Sequence, residues 1–199
     1  MSVLNSYFDI QKQEVMNYYD EIDNRILEEV AYIIKQQESK GCRVHTTGIG
    51  KPGHLASYVA SLFSSIGTPT YFLDGTEAIH GSSGQVKEGD VVIAMSNSGQ
   101  TEELKKTLMT LRNNGAILVT VTGNADSWMA ENSDYHIFAG VTEEGDNLNK
   151  PPRSSILVET IAMQALSVIL QDLNNLTPEV YVKWHPGGSL GKSILDKKK

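Results

Sequence analysis

Ser96-Asn97-Ser98-Gly99-Gln100-Thr101 sets three hydroxyls and a glycine between an apolar run and a helical pattern. Hydroxyl donors, a close backbone approach and the free N–H groups of a helix start make an anion site. Apart from the helix dipole the loop is neutral, which suits one phosphate rather than a magnesium-held triphosphate. The alternative is a serine-rich turn with Ser98 or Thr101 as the helix cap. A second turn, Gly48-Ile49-Gly50-Lys51-Pro52-Gly53, carries a lysine suited to a substrate oxygen or a second phosphate contact. Its spacing is not that of a P-loop, and no Ser or Thr follows Lys51. Its glycines fit a dinucleotide fingerprint, with Asp74 at about the expected 20 residues on, yet Lys51 and Pro52 crowd the turn.

The other titratable candidates stand singly. Glu77 and His80 lie in Glu77-Ala78-Ile79-His80-Gly81, Glu102 and Glu103 open a helical pattern, and Glu143-Glu144 sit in a loop. His185 begins His185-Pro186-Gly187-Gly188-Ser189-Leu190-Gly191, where dense glycine points to backbone wrapped tightly against something. Each alone reads as a solvated residue or a satisfied hydrogen-bonder. No close histidine spacing supports a required metal, and the sequence leaves open whether zinc inhibits through His80 and His185. The single cysteine, Cys42, excludes an internal disulfide framework and a cysteine-cluster zinc site.

The elements that must position these residues alternate between two periods. Residues 8–40 read as helical, with Ile22, Ile26, Val30 and Ile33 at steps of four and three, and Gly41 ends the pattern. Strands are expected at 43–47, 70–73, 91–95, 116–121 and 134–139. Helices are expected at 54–66, 101–113, 127–131 and 154–173, the last apolar on most sides and packed deep. Residues 142–152 read as a functional loop. Strands alternating with helices imply parallel crossovers, hence an α/β fold with an open, doubly wound five-stranded parallel sheet. Ligands bind such sheets beyond the carboxyl ends of the strands, where the loops after Thr47, Leu73, Met95 and Ala139 all fall.

The 199 residues, 40% hydrophobic, predict one globular domain, residues 1–199, with a helical segment over 1–40 and an αβα core over 41–199. A net charge of −7 argues against nucleic-acid binding. The start of the chain lacks the pattern of a secretory signal, and no apolar run is expected to reach the roughly 20 residues of a membrane span. Together these predict a cytoplasmic protein without membrane or nucleic-acid partners.

The two turns, with Gly67-Thr68-Pro69, Glu77-Ala78-Ile79-His80-Gly81, Val91-Val92-Ile93-Ala94-Met95-Ser96-Asn97-Ser98-Gly99, Thr122-Gly123-Asn124 and the His185 segment, resemble the SIS (sugar isomerase) family. Within it the match is to the D-arabinose 5-phosphate isomerases, across nearly the whole chain. The serine loop marks the superfamily. The lysine turn, the Glu-x-x-His-Gly segment and the His-Pro-Gly-Gly segment together are more specific.

The resemblance implies a flavodoxin-like sheet and a homotetramer with active sites shared between chains. It puts the catalytic positions on Lys51, His80, Glu103, Glu144 and His185. The phosphate falls to Ser96, Asn97, Ser98, Gly99 and Thr101, and Gly48, Gly50, Ser154 and Ser155 line the site. Three features depart from the family. The paired CBS modules that usually follow the isomerase domain are missing from these residues. The family's Glu-Ala-Cys-Pro-Leu loop is Glu144-Gly145-Asp146-Asn147-Leu148, and its Pro-Thr-Ser-Ser-Thr is Pro152-Arg153-Ser154-Ser155-Ile156. These changes concern substrate choice and regulation more than reaction type.

The implied reaction interconverts D-ribulose 5-phosphate and D-arabinose 5-phosphate through a cis-enediol, without a cofactor. It would supply 3-deoxy-D-manno-octulosonate (Kdo) synthesis for lipopolysaccharide or capsule, with CMP-Kdo a candidate feedback ligand. Glu103 and His185 compete for the role of C–H base, Glu144 orients it or moves a hydroxyl proton, and His80 assists ring opening. The alternatives are a sugar-phosphate sensor, or another isomerase such as a 6-phospho-3-hexuloisomerase.

Overall fold

Val91–Met95 is completely buried, as five consecutive apolar residues between a Gly-Asp turn and a polar loop should be. It is β3, the centre of the sheet. A computed structural model describes residues 2–185, and the other strands are β1 (Val44–Gly48), β2 (Thr70–Asp74), β4 (Ile117–Thr122) and β5 (Tyr135–Phe138). All pairs are parallel, in the order β2-β1-β3-β4-β5. That is the flavodoxin-like order, whose topological switch lies between β1 and β3. The expected strands match to within two residues at each end.

Seven helices are described: α1 (Val3–Glu21), α2 (Asn24–Glu38), α3 (Lys51–Ser65), α4 (Glu102–Asn113), α5 (Trp128–Glu131), α6 (Ser154–Leu173) and α7 (Pro178–Trp184). One sheet face is covered by α1, α2, α3 and α6, which bury Tyr18, Leu27, Ile34, Phe63, Met163 and Leu166 against β3, β4 and β5. The other is covered by α4, α5 and the 3₁₀ turns Ala78–His80 and Ser82–Gln85, around Leu104, Leu108, Leu111 and Met129. Each fully buried side chain of this size is worth about 1.5–3 kcal/mol, so neither face is dispensable.

Three expectations need correction. The helical pattern over 8–40 is two helices. Asp23 breaks it by accepting the Arg25 N–H at 2.9 Å as the cap of α2, and α1 begins earlier, capped by Ser2. Helix α3 starts at Lys51 rather than 54, because Pro52 fits the first helical turn. α6 does have the length and composition of a membrane span, with mean hydropathy 1.5 over its window. Val158, Ala162, Met163, Leu166 and Leu170 nonetheless dock it into the core, while Val168 stays exposed. α7 was not expected, although Thr177 capping the Val180 N–H, with Pro178 following, is a helix start.

Candidate active site at the carboxyl edge of the sheet

The turn after β1 and the loop after β3 meet at the switch point. Gly48 and Gly53 close the first turn: a Cβ on Gly53 would lie 2.7 Å from the Gly48 carbonyl oxygen, and one on Gly48 would lie 2.9 Å from the Gly53 nitrogen. This contact tucks α3 against β1 and sets Lys51 at the exposed start of the helix. Beside it a cleft of about 320 Å³ is lined by Gly48, Ile49, Gly50, His54, Asp74 and Thr76. Asp74 is committed to its own turn. Its Oδ1 accepts the Thr76 N–H at 2.8 Å, the Thr76 hydroxyl at 2.6 Å and the Glu77 N–H at 3.2 Å. Those bonds hold its carboxyl below the usual carboxylate range and leave Oδ1 poorly placed to read a ribose.

The serine loop is held by backbone. The Ser96 N–H donates to Val121 O at 3.0 Å, the Gly123 N–H to Asn97 O at 2.9 Å, and the Met129 N–H to Gly99 O at 3.2 Å. No side chain caps α4, although Thr101 occupies the cap position. The Thr101 hydroxyl instead lies 3.3 Å from Ser96 Oγ. An uncapped helix start leaves its first N–H groups free for an anion, with the two hydroxyls beside it as further donors. Gly99 has φ +61°, and a Cβ there would fall onto Ser127 Oγ. Gly99→Ala should therefore deform the loop at a cost of about 1–2 kcal/mol. The expected readout is roughly tenfold weaker binding of inorganic phosphate by calorimetric titration, and unchanged affinity would remove this loop from the anion site.

Lys51, His80 and Glu103 are exposed and have no side-chain partner among the described residues. Glu102, by contrast, pairs with Lys105 at 2.9 Å. Glu103 stands in the first turn of α4, directly after the serine loop. His80 ends the 3₁₀ turn that follows β2.

Glu144 is buried. Its Oε2 accepts the N–H groups of Arg153 at 2.6 Å and Ser155 at 3.1 Å, so this carboxylate caps α6 from outside the helix. Asn149 Oδ1 accepts the Glu144 N–H, and Glu14 of α1 accepts the N–H groups of Thr142 and Glu143, fastening the loop to α1.

His185 ends α7, stacked on Tyr181 at 3.9 Å, with Nδ1 2.9 Å from Tyr181 O. The neighbouring Trp184 packs on Gly67, just before β2, at the amino edge of the sheet. One chain thus gathers Lys51, Glu103 and Ser96–Thr101 around the switch point and keeps His185 away from them. The remainder of the His-Pro-Gly-Gly segment, 186–191, lies outside the described residues.

Sequence reasoning passed over Glu159. It is fully buried on α6, and neither carboxyl oxygen has a partner among the described residues. Burial, and then the Glu144 carboxylate, push its pKa up to about 8. The native state therefore holds a proton on Glu159 that the unfolded chain releases above the ordinary value of 4.5. Stability is lost as pH rises between the two values, by roughly 1 kcal/mol per pH unit. His45 and His136, both lowered by burial, act oppositely but only below 6.5, where the unfolded chain binds the extra protons. Between pH 6.5 and 8, urea denaturation should show stability falling with pH, and Glu159→Gln should flatten that slope.

The chain matches the SIS domain family over residues 38–169. A Pseudomonas aeruginosa protein named arabinose 5-phosphate isomerase KdsD is 37% identical over 153 residues, covering 77% of this chain and 47% of that protein. The chain spans about half the length of the curated relatives it matches. A protein of Escherichia coli CFT073, solved in complex with arabinose 5-phosphate, superposes with a TM-score of 0.82 at 34% identity. That match covers 92% of this chain and 95% of the other. A Bacteroides fragilis protein described as a phosphosugar isomerase involved in capsule formation gives 0.81 at 30% identity, covering 92% and 95%. A five-stranded parallel sheet in flavodoxin order, a serine loop on an uncapped helix and a match over residues 38–169 lead to one conclusion: the chain belongs to the SIS-domain family.

Proposed function

We propose that this chain interconverts D-ribulose 5-phosphate and D-arabinose 5-phosphate. The observation that carries the reading is the meeting of the uncapped serine loop with the exposed Lys51 turn at the switch point. It occurs in a chain 34% identical, nearly end to end, to a protein solved with arabinose 5-phosphate bound.

In this reading the phosphate sits on Ser96, Asn97, Ser98, Gly99 and Thr101 at the start of α4. Gly48 and Gly50 line the rest, whereas Ser154 and Ser155, expected beside them, are fully buried at the start of α6. A base removes the C1 proton of the ketose, the C2 carbonyl takes up the electron pair, and Lys51 balances the enediolate charge. Returning a proton to C2, while the O1 hydroxyl proton passes to O2, completes the aldose with no cofactor or metal. Glu103 is the first candidate base. Glu144 moves the hydroxyl proton, since both its backbone bonds use Oε2, and His80 assists ring opening.

His185 serves the site of a neighbouring chain in a homotetramer, which its place at the opposite edge from the switch point supports. The enzyme works in the cytoplasm and feeds Kdo synthesis for lipopolysaccharide or capsule. CMP-Kdo is the feedback ligand, held by the 144–153 loop. A binding titration in which CMP-Kdo and substrate do not compete would sink that last assignment.

The test is NMR of chelator-treated protein with D-ribulose 5-phosphate in D₂O. The expected result is arabinose 5-phosphate carrying deuterium at C2. Binding without conversion would make the chain a sugar-phosphate sensor.

A further inference from the structure

Ser154 Oγ, Ser155 Oγ and both carboxyl oxygens of Glu159 are buried without a hydrogen-bond partner among the described residues. Such groups carry a desolvation cost, and a cluster of them next to a candidate site calls for a reason. Ser155 and Glu159 are four residues apart on α6 and share its inward face. The Ser155 N–H is one of the two that hold Glu144. Glu159 therefore backs the helix start on which Glu144 rests.

The titratable groups coupled to Glu159 are Glu144 from the 142–152 loop and Tyr18 from α1. Tyr18 donates its hydroxyl to Phe138 O at 3.1 Å and stays neutral. Glu14, one turn earlier on α1, is occupied by Thr142 and Glu143. Among the described residues no cation bonds to Glu159.

We propose that Glu159 is a positioning residue for Glu144, a reading that rests on the isomerase function above. Uncharged, it lets the Glu144 carboxylate sit on the start of α6; ionised, it drives that carboxylate off by repulsion. Two carboxylates in a buried, weakly screened setting repel far more strongly than in water. The switch falls where Glu159 ionises, at about pH 8, so the isomerase works below that pH with Glu144 seated and loses it above.

The experiment is the pH profile of kcat/KM for D-ribulose 5-phosphate from about pH 6.5 to 9.5, in the full chain and in Glu159→Gln and Glu159→Leu. The wild-type value should fall about tenfold per unit above its midpoint near 8. Both variants, whatever their rates at neutral pH, should lose that limb. Wild type and variants falling together would overturn the proposal, because a purely structural residue has no reason to move an ionisation. If the wild type turns nothing over, the isomerase reading has failed and the coupling is read separately. The backbone amide resonances of Arg153 and Ser155 should then titrate near pH 8 in wild type and not in Glu159→Gln. Amides that do not titrate in wild type would overturn the coupling itself.

Discussion

Replacing Glu103 by Gln should lower kcat by about 10²- to 10⁴-fold while KM stays within a few-fold, the signature of a proton-transfer group lost from the transition state. The side chain is free for this role. It is exposed, carries no partner among the described residues, and stands in the first turn of the helix whose start is proposed to hold the phosphate. Its other physical effect, a negative charge on the helix dipole, is worth only about 0.3–1 kcal/mol and cannot account for a loss of that size. Glu102 supplies the control. It shares the same helix turn and charge but is tied to Lys105, so Glu102→Gln should change kcat by less than about twofold, within the few tenths of a kcal/mol of an exposed pair. Steady-state assays on the two variants separate chemistry from helix electrostatics. An unchanged kcat in Glu103→Gln would hand the base to His185, and the loss should then appear in His185→Gln.

Why could Glu103 be singled out from sequence when Glu159 could not? The sheet and its loops were legible because their signals are local. Val91-Val92-Ile93-Ala94-Met95, short and bounded by Gly89-Asp90 and Ser96-Asn97, reads as a strand buried on both faces. In a parallel sheet the polar loop after it falls at the carboxyl edge, where Glu103 follows. The split between α1 and α2 was missed for a related reason. The apolar period runs through Ile22 and Ile26 without a break, and only the capping side chain of Asp23 marks the boundary. Glu159 lies in a helix so apolar that one acid reads as a point on its wet side. Its burial comes from the packing of α6 against the other helices of that face, and the groups that act on it, Tyr18 of α1 and Glu144 of the 142–152 loop, are distant in the chain. Glu144 was found as a candidate, but its backbone bonds to Arg153 and Ser155 depend on how that loop folds back. His185 shows the converse: its motif is clear, yet one chain holds it at the other edge of the sheet.

The second large effect is expected at Glu144, where one carboxylate is asked to hold a helix and to move a proton. Glu144→Ala removes a buried, charge-assisted acceptor from two N–H groups of an otherwise uncapped helix. The loss should be about 2–3 kcal/mol, a fall in Tm of roughly 5–10 °C. Glu144→Gln keeps an amide oxygen that can accept the same two bonds, so most of the lost stability should return. Activity should not return with it, because an amide cannot take up the hydroxyl proton. Melting curves and kcat on the two variants therefore part the two roles. If Glu144→Gln regains both stability and turnover, Glu144 is a cap alone. The same variant also bears on Glu159. Taking the charge off position 144 removes the smaller cause of that raised pKa and leaves burial, the larger one. The fall in stability between pH 6.5 and 8 should therefore begin to level at a lower pH in Glu144→Gln and disappear in Glu159→Gln. A slope that Glu144→Gln abolishes altogether would mean that the carboxylate at 144, and not burial, keeps Glu159 protonated.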